Sequence, residues 1–126
     1  MSKPRKRKEI AKSFLRLAAT GKVREAYENF AAPDFRHHNP YFPGDAESLR
    51  KAMEEAHAKF AQTAIEFQRA LEEGSLVVVH SRVKHAPDAR DIVVVHLFRF
   101  KGTRIAELWD IAMEAPEQSP NQNGLF

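Results

Sequence analysis

The chain has 126 residues, of which 43% are hydrophobic and 29% charged, a composition typical of one globular domain. It has no cysteine, which excludes disulfides, thiol nucleophiles and zinc knuckles. No apolar run approaches the roughly 20 residues that cross a bilayer, so no membrane partner is expected. Residues 1–8 hold five of the 20 basic residues, which leaves 15 basic against 17 acidic residues elsewhere. We therefore expect a basic, disordered tail at 1–8 and a single, mildly acidic domain at 9–126.

A basic run of this kind occurs on nucleic-acid-binding arms and, more often, on solvated termini. Neither a basic stripe nor interleaved aromatic residues continue into the body, which argues against a nucleic-acid partner. The N-terminus also lacks the apolar core of a signal peptide. A cytoplasmic location is the expectation.

Helical periodicity marks the first half of the chain. Ile10, Phe14 and Leu17 lie on one helical face, and Gly21 is a plausible end for that helix. A second, short helix is predicted to end near Pro33. The segment 34–45 has too many prolines for a long helix and too many aromatic residues for a solvated loop, so we expect it to lie over the core.

Asp45 is a good N-cap for a third helix, whose apolar stripe is Leu49, Met53, Ala56, Phe60 and Ala64. From Ile65 the apolar period changes to two, which predicts one strand up to a turn at Glu73-Gly74 and further strands at about 75–85, 91–101 and 104–114. Helices followed by an antiparallel meander indicate an α+β fold.

Both faces of the 91–101 strand are apolar. The helices can cover one face of the sheet, and a second copy of the chain is the simplest cover for the other. We therefore expect a homodimer through the outer sheet face. The residues expected there are Val79, Val95, Leu97 and Trp109.

Each of the last three strands carries an ionisable residue inside an apolar segment. A symmetric hairpin at 86–90 would place His80 opposite His96, and a turn centred on Thr103 would place His96 opposite Asp110. Burying such groups is costly unless they are paired or serve chemistry. The pattern therefore predicts a row of His80, His96 and Asp110 on one face, lining a pocket.

Two alternatives to that row remain open. His80 shares its parity with Arg82 and Lys84, so it could equally lie on a solvated face. The same three residues could form a two-histidine, one-carboxylate metal site, but no helical histidine pair or close-spaced ligand motif supports one. We expect no metal.

Several segments are distinctive when read together. They are Asp34-Phe35-Arg36-His37-His38-Asn39-Pro40, Val79-His80-Ser81-Arg82, Leu97-Phe98-Arg99-Phe100, Glu107-Leu108-Trp109-Asp110 and the closing Asn121-Gln122-Asn123-Gly124-Leu125-Phe126. With the helix, Gly21 and second helix before them, they resemble the SnoaL-like polyketide cyclase family of the nuclear transport factor two-like superfamily. The resemblance implies a cystatin-like cone, in which a curved antiparallel sheet packs on three N-terminal helices around a deep pocket. It also implies dimerisation through the sheet.

In the cyclases of that family a histidine and an aspartate on neighbouring strands serve acid–base chemistry in an aldol ring closure, and His96 and Asp110 match those positions. The chain departs from a common family pattern, because it has His96 where many members have aspartate and Leu108 where they have histidine. We expect a cofactor-independent cyclase or isomerase-type enzyme acting on a small carbonyl compound. Asp110 would be the base, and His96 would bind the enolate oxygen or Asp110 itself. The expected substrate-binding residues are His38, His80, Tyr41, Phe42, Phe98 and Leu108.

Two other functions stay open at this point. The fold also hosts non-catalytic binding and scaffold domains. An epoxide-hydrolase-like enzyme would instead use Asp110 to activate a water, with Arg82 or a histidine assisting the opening group.

Overall fold

The structure, a computed structural model, describes residues 6–126. Three helices and five strands form in this part of the chain: α1 (Arg7–Ala19), α2 (Val23–Phe30), β1 (Ala31–His37), α3 (Ala46–Lys59), β2 (Ala64–Glu73), β3 (Leu76–Lys84), β4 (Ile92–Lys101) and β5 (Arg104–Glu114). None of the helices within residues 6–126 is both long enough and apolar enough to cross a bilayer.

The five strands form one sheet in the order β1-β5-β4-β3-β2. The pairs from β2 to β5 are antiparallel, as predicted. β1 pairs with β5 in parallel, and its register shifts between Ala31 and Arg36. This strand was not predicted, because Pro33 interrupts its pattern; at the edge of a sheet the missing N–H of a proline is tolerated. The α+β fold is confirmed, with a mixed rather than purely antiparallel sheet.

The core lies between α1, α2 and one face of the sheet, which we call the inner face. Phe14 of α1 is fully buried and makes edge-to-face contacts with Tyr27 of α2 (ring centroids 5.2 Å apart) and Phe98 of β4 (6.2 Å). Tyr27 in turn contacts Phe35 of β1 at 5.3 Å. These aromatic contacts join both helices to the centre and the edge of the sheet.

The helix α1 begins inside the segment predicted to be a disordered tail. Arg7 donates from Nε to the carbonyl oxygen of Gly102 (3.0 Å) and from Nη1 to that of Gly74 (2.8 Å). The backbone N–H of Lys8 donates to Glu72 Oε1 at 3.0 Å. Residues 7 and 8 therefore belong to the folded domain, and the prediction for residues 1–5 lies outside the described residues.

The predicted register between β4 and β5 is confirmed, because His96 lies opposite Asp110 and Phe98 opposite Leu108. The predicted register between β3 and β4 is wrong by one residue. His96 lies opposite Val79, and His80 lies opposite Val95. Since side chains alternate along a strand, this slip moves every β3 side chain to the other face.

The slip reverses the assignments made for β3. Val79 is fully buried on the inner face, so it is not part of the outer face predicted for dimerisation. His80 and Arg82 lie on the outer face. The third helix is also shorter than its apolar stripe suggested, since α3 ends at Lys59 and Ala64 already belongs to β2.

Candidate active site

A cavity of about 320 Å³ lies between the C-terminal halves of α1 and α3 and the inner face of the sheet. Ten of its fifteen lining residues are apolar, so a bound molecule would lose most of its contact with water. The five polar lining residues are His57, Thr63, His85, His96 and Asp110. His96 and Asp110 lie at one end of the cavity, which we call the inner end. The other three lie where α3 ends, β2 begins and β3 ends, and we call this end the mouth.

The inner end is built by two adjacent strands. His96 and Asp110 are directly opposed in β4 and β5 and both line the cavity. The two side chains make no direct hydrogen bond in the described structure. The Nδ1 atom of His96 is shielded from solvent and has no hydrogen-bond partner among the described residues, which leaves it free for a ligand.

Asn39 holds the Asp110 carboxylate. Its side-chain oxygen accepts from the backbone N–H of Tyr41 (3.0 Å), which directs the amide nitrogen to Asp110 Oδ2 at 3.1 Å. The Asn39 backbone N–H donates to Nδ1 of His37 (3.0 Å), so the other nitrogen of His37 donates to the carbonyl of Pro43 at 2.7 Å. The loop after β1 is thus fixed with its amide against Asp110.

The environment of His96 keeps its ring neutral at physiological pH. Burial lowers the pKa of His96 from 6.5 to about 4, and the nearby Asp110 acts in the opposite direction with a smaller effect. A neutral imidazole can still donate one hydrogen bond to a developing oxyanion. The inner end therefore combines a carboxylate and a neutral imidazole on one apolar wall.

Tyr27 is a further group close to this end. Burial raises the pKa of Tyr27, while Arg50 lowers it and Asp110 raises it, so the phenol stays protonated. Its hydroxyl is 3.5 Å from the sulfur of Met53, which lines the cavity.

Sequence reasoning missed Asn39 and Tyr27. The Asn-Pro pair inside the predicted aromatic segment 34–45 was the one local signal that could have indicated Asn39.

The structure places the six predicted substrate-binding residues outside this cavity. Phe98 and Leu108 are buried in the core, whereas Tyr41 is 85% and Phe42 41% exposed on the loop after β1. His80, on the outer face, accepts a hydrogen bond from Arg69 at 2.6 Å. With His80 on the opposite face, the metal set of His80, His96 and Asp110 does not form, and no group of three metal-ligating side chains occurs within residues 6–126.

His38, the sixth of these residues, belongs to an ion cluster on the outer face. It stacks on Trp109 with ring centroids 4.8 Å apart and bonds to Glu107. Glu107 also accepts from Arg99 (2.9 Å) and Arg36 (3.3 Å). The hydrogen bond from His38, followed by those from the two arginines, lowers the pKa of Glu107 to about 2 despite its burial. His38 therefore connects β1 to β5 and does not face the cavity.

A second cleft, of about 360 Å³, lies between α2, β1 and α3. Its charged residues are Arg24, Glu28, Glu47 and Arg50. Among the described residues, none that line it holds a buried polar side-chain atom without a partner. We therefore take the cavity of His96 and Asp110 as the candidate active site.

The SnoaL-like domain family matches residues 11–108, which is most of the chain. This chain belongs to the SnoaL-like family. The family that the motif resemblance indicated is thereby confirmed. The match begins within α1 and ends in the middle of β5, so it includes His96. Asp110 follows two residues after its end. Comparison with curated protein sequences gives no match.

Solved structures share the fold of this SnoaL-like chain. A loop-truncation variant of IdmH has a TM-score of 0.73 and 18% identity over 85% of this chain and 92% of that one. A candidate polyketide cyclase from Acidithiobacillus ferrooxidans has a TM-score of 0.71 and 22% identity, covering 89% and 91%. A nuclear transport factor two-like protein of unknown function from Cytophaga hutchinsonii has a TM-score of 0.70 and 15% identity, covering 90% and 95%. At these identities the likeness shows the fold alone.

Proposed function

We propose that this protein is a cofactor-independent enzyme of cyclase or isomerase type that performs acid–base chemistry on a small carbonyl compound. The observation that carries the proposal is the direct opposition of His96 and Asp110 at the inner end of a largely apolar cavity. The likeness in fold to IdmH from Streptomyces antibioticus, described as a candidate polyketide cyclase, supports ring closure as one form of this chemistry.

The reaction begins with removal of a proton from the carbon next to the carbonyl. The amide of Asn39 holds Oδ2 of Asp110, so Oδ1 is the oxygen that takes the proton. The C–H bonding pair becomes the carbon–carbon double bond of an enolate, and the negative charge moves to oxygen. His96 donates a hydrogen bond to that oxygen, an interaction that is strong because the apolar walls exclude water.

Two outcomes follow from the same enolate. In an isomerase, Asp110 returns the proton to a different carbon. In a cyclase, the enolate carbon attacks a second carbonyl of the same molecule, and the new alkoxide takes up the proton. Both outcomes need the same base and the same oxyanion donor, so the first proton transfer is the step to test.

Proton abstraction is measured by deuterium exchange. Wild-type protein is incubated in D₂O with a panel of one- and two-ring ketones that includes 1-tetralone, and exchange at the carbon next to the carbonyl is followed by NMR. We expect Asp110→Asn to lower the exchange rate by roughly 100-fold or more, since loss of a general base typically has that effect. His80→Leu, which removes a histidine from the outer face, is the matched control and should exchange at the wild-type rate.

The proposal fails if wild-type protein does not accelerate exchange of any panel ketone that it binds. It also fails if Asp110→Asn exchanges as fast as wild type. In either case a non-catalytic binding domain becomes the better description.

An epoxide-hydrolase-like reaction in this cavity could not use Arg82. Arg82 lies on the outer face, where its Nε is 3.4 Å from Asp91 Oδ2 and its guanidinium is 4.3 Å from the centroid of the Phe126 ring. It cannot assist an opening group inside the cavity. Asp110 with the cavity histidines is the remaining way to activate a water.

We also propose a homodimer through the outer face of the sheet. Four large apolar side chains are exposed there: Ile111 (61%), Met113 (56%), Leu71 (64%) and Leu76 (44%). Ile111 and Met113 lie on β5, whereas Leu71 and Leu76 lie on β2 and β3 on the other side of β4. Apolar groups are thus exposed on both sides of the central strand, as is typical of a sheet face that a protein interface covers.

A further inference from the structure

The cavity has a second polar end. His57, Thr63 and His85 line its mouth, on the far side of the apolar walls from His96 and Asp110. Ile92 lies at the mouth and His96 at the inner end of the same strand, four residues apart, which is roughly 13 Å at 3.3 Å per residue. A molecule that fills the cavity therefore meets polar groups at both ends.

The hydrogen bonds of His85 determine which of its nitrogens can bind a ligand. Thr63 donates its only hydroxyl proton to the carbonyl oxygen of Phe60 at 2.8 Å. The same hydroxyl oxygen is 3.2 Å from His85 Nδ1, so Nδ1 is the donor in that contact. In the neutral ring Nε2 is then an acceptor. Stacking on Phe60, with ring centroids 4.4 Å apart, fixes the ring in this position.

The ring of His57 packs against a glycine at the mouth of the cavity. Gly21 follows α1 with φ of +87°, and a Cβ atom there would be 2.5 Å from His57 Nε2. The ring of His57 thus occupies space that only glycine leaves open. Its Nδ1 is shielded from solvent and has no hydrogen-bond partner among the described residues. A buried polar atom of this kind destabilises the protein unless a water or ligand satisfies it.

The size of the cavity limits the ligand. A volume of about 320 Å³ is close to the lower limit for small-molecule sites. A cavity of this size suits a small organic molecule better than a large one. A compound of one or two rings fits this volume.

We infer that the ligand is a compact one- or two-ring carbonyl compound with a hydroxyl group at the end remote from its carbonyl, and that the mouth histidines His57 and His85 bind this hydroxyl. The inference deepens the proposed function and rests on it for the position of the carbonyl. A hydroxyl suits the mouth because it donates to the acceptor nitrogen of His85 and can also accept.

Binding to matched probes tests the inference. The affinities of 6-hydroxy-1-tetralone, 1-tetralone and the four-ring hydroxyketone estrone are measured by calorimetry. We expect 6-hydroxy-1-tetralone to bind wild-type protein roughly fivefold to tenfold more tightly than 1-tetralone, the difference typical of a hydrogen bond. Estrone should bind more weakly than 6-hydroxy-1-tetralone.

Two variants test whether the mouth histidines cause the tighter binding of the hydroxyl compound. His57→Leu and His85→Phe, the second of which retains an aromatic ring against Phe60, should each reduce the preference for the hydroxyl compound to about twofold or less. The affinity for 1-tetralone should change little. His80→Leu on the outer face is the matched control and should retain the wild-type preference.

The inference is overturned if wild-type protein binds both tetralones equally or binds estrone more tightly. It is also overturned if both mouth variants, shown to be folded by circular dichroism, keep the full preference. Asp110→Asn should retain the preference for the hydroxyl compound while losing deuterium exchange. A preserved preference without exchange in wild-type protein would contradict the proposed reaction and support the hydroxyl site.

Discussion

His96 shows how strongly one position can change the properties of a side chain. It is directly opposed to Asp110, yet burial outweighs the attraction of that carboxylate and lowers its pKa to about 4. His38 is also near a carboxylate, but there the histidine bonds to Glu107 at the half-exposed edge of an arginine cluster. The same residue type therefore supplies a neutral donor inside the cavity and a fixed link between two strands on the outer face.

The buried His96 predicts a pH dependence of stability. It titrates at a pKa of about 4 in the folded protein and near 6.5 when unfolded. Between these values the unfolded chain binds more protons, so the free energy of unfolding falls as pH decreases from 6.5 toward 4 and is unaffected by this group above 6.5. In urea titrations at pH 7, 6 and 5, the free energy of unfolding of His96→Leu should fall less with decreasing pH than that of wild type.

His80→Leu is the matched control for that measurement and should keep the wild-type slope. The range above pH 5 is chosen because Glu107, whose pKa is lowered to about 2, contributes stability that is lost only as pH falls below about 4.5. Identical slopes for wild type and His96→Leu would contradict a neutral, buried His96.

At the scale of elements, the start of α1 connects two hairpins. The guanidinium of Arg7 bonds to the carbonyl of Gly74 in the β2–β3 turn and to that of Gly102 in the β4–β5 turn. It also lies 6.0 Å from the centroid of the Phe100 ring. Both turns therefore have a common partner on the helix, which joins the first element of the domain to the end of the sheet.

Arg7→Ala should lower the free energy of unfolding by about 1–2 kcal/mol, because two charge-assisted hydrogen bonds to turn carbonyls are lost. Lys8→Ala is the matched control. Its described hydrogen bond to Glu72 uses the backbone N–H, so truncation should change stability by about 0.5 kcal/mol or less. Urea denaturation of both variants measures the difference. Equal values for the two would show that Arg7 does not hold the turns.

At the scale of the whole molecule, different parts of the chain pack on the two faces of the sheet. The helices and the cavity occupy the inner face. On the outer face the C-terminal Phe126 packs over Arg82 and stacks with His80, with ring centroids 5.9 Å apart. Ile111 and Met113 of β5 stay exposed beside this contact. The surface proposed for dimerisation therefore includes exposed apolar groups of β5 and of the β2–β3 hairpin, on either side of β4, and it does not include Val79.

Sedimentation velocity tests the dimer. Wild-type protein should sediment as a dimer at micromolar concentration. Ile111→Glu should raise the dissociation constant by at least about tenfold, since it places a charge in an apolar interface. Ala58→Glu, at an exposed position on α3, should leave the dimer intact. A wild-type monomer at micromolar concentration would contradict the proposal.

The sequence by itself determined the features that depend on neighbouring residues. Asp45 caps α3 by accepting from the backbone N–H of Ser48 at 2.9 Å, as its position predicts. Gly21 follows α1 in the left-handed region. The opposition of His96 and Asp110 was also predictable, because the short turn at Gly102 leaves little freedom in the register of its two strands.

Only the tertiary structure decided which groups face the cavity. The loop between β3 and β4 is long enough to permit either of two registers, and packing of Val77 and Val79 against the helices selects the one that turns His80 outward. Asn39 reaches Asp110 across 71 residues of sequence, by way of a parallel strand that no local pattern indicated. Contacts between distant segments depend on how the whole core packs, and residue spacing along the chain carries no direct record of them.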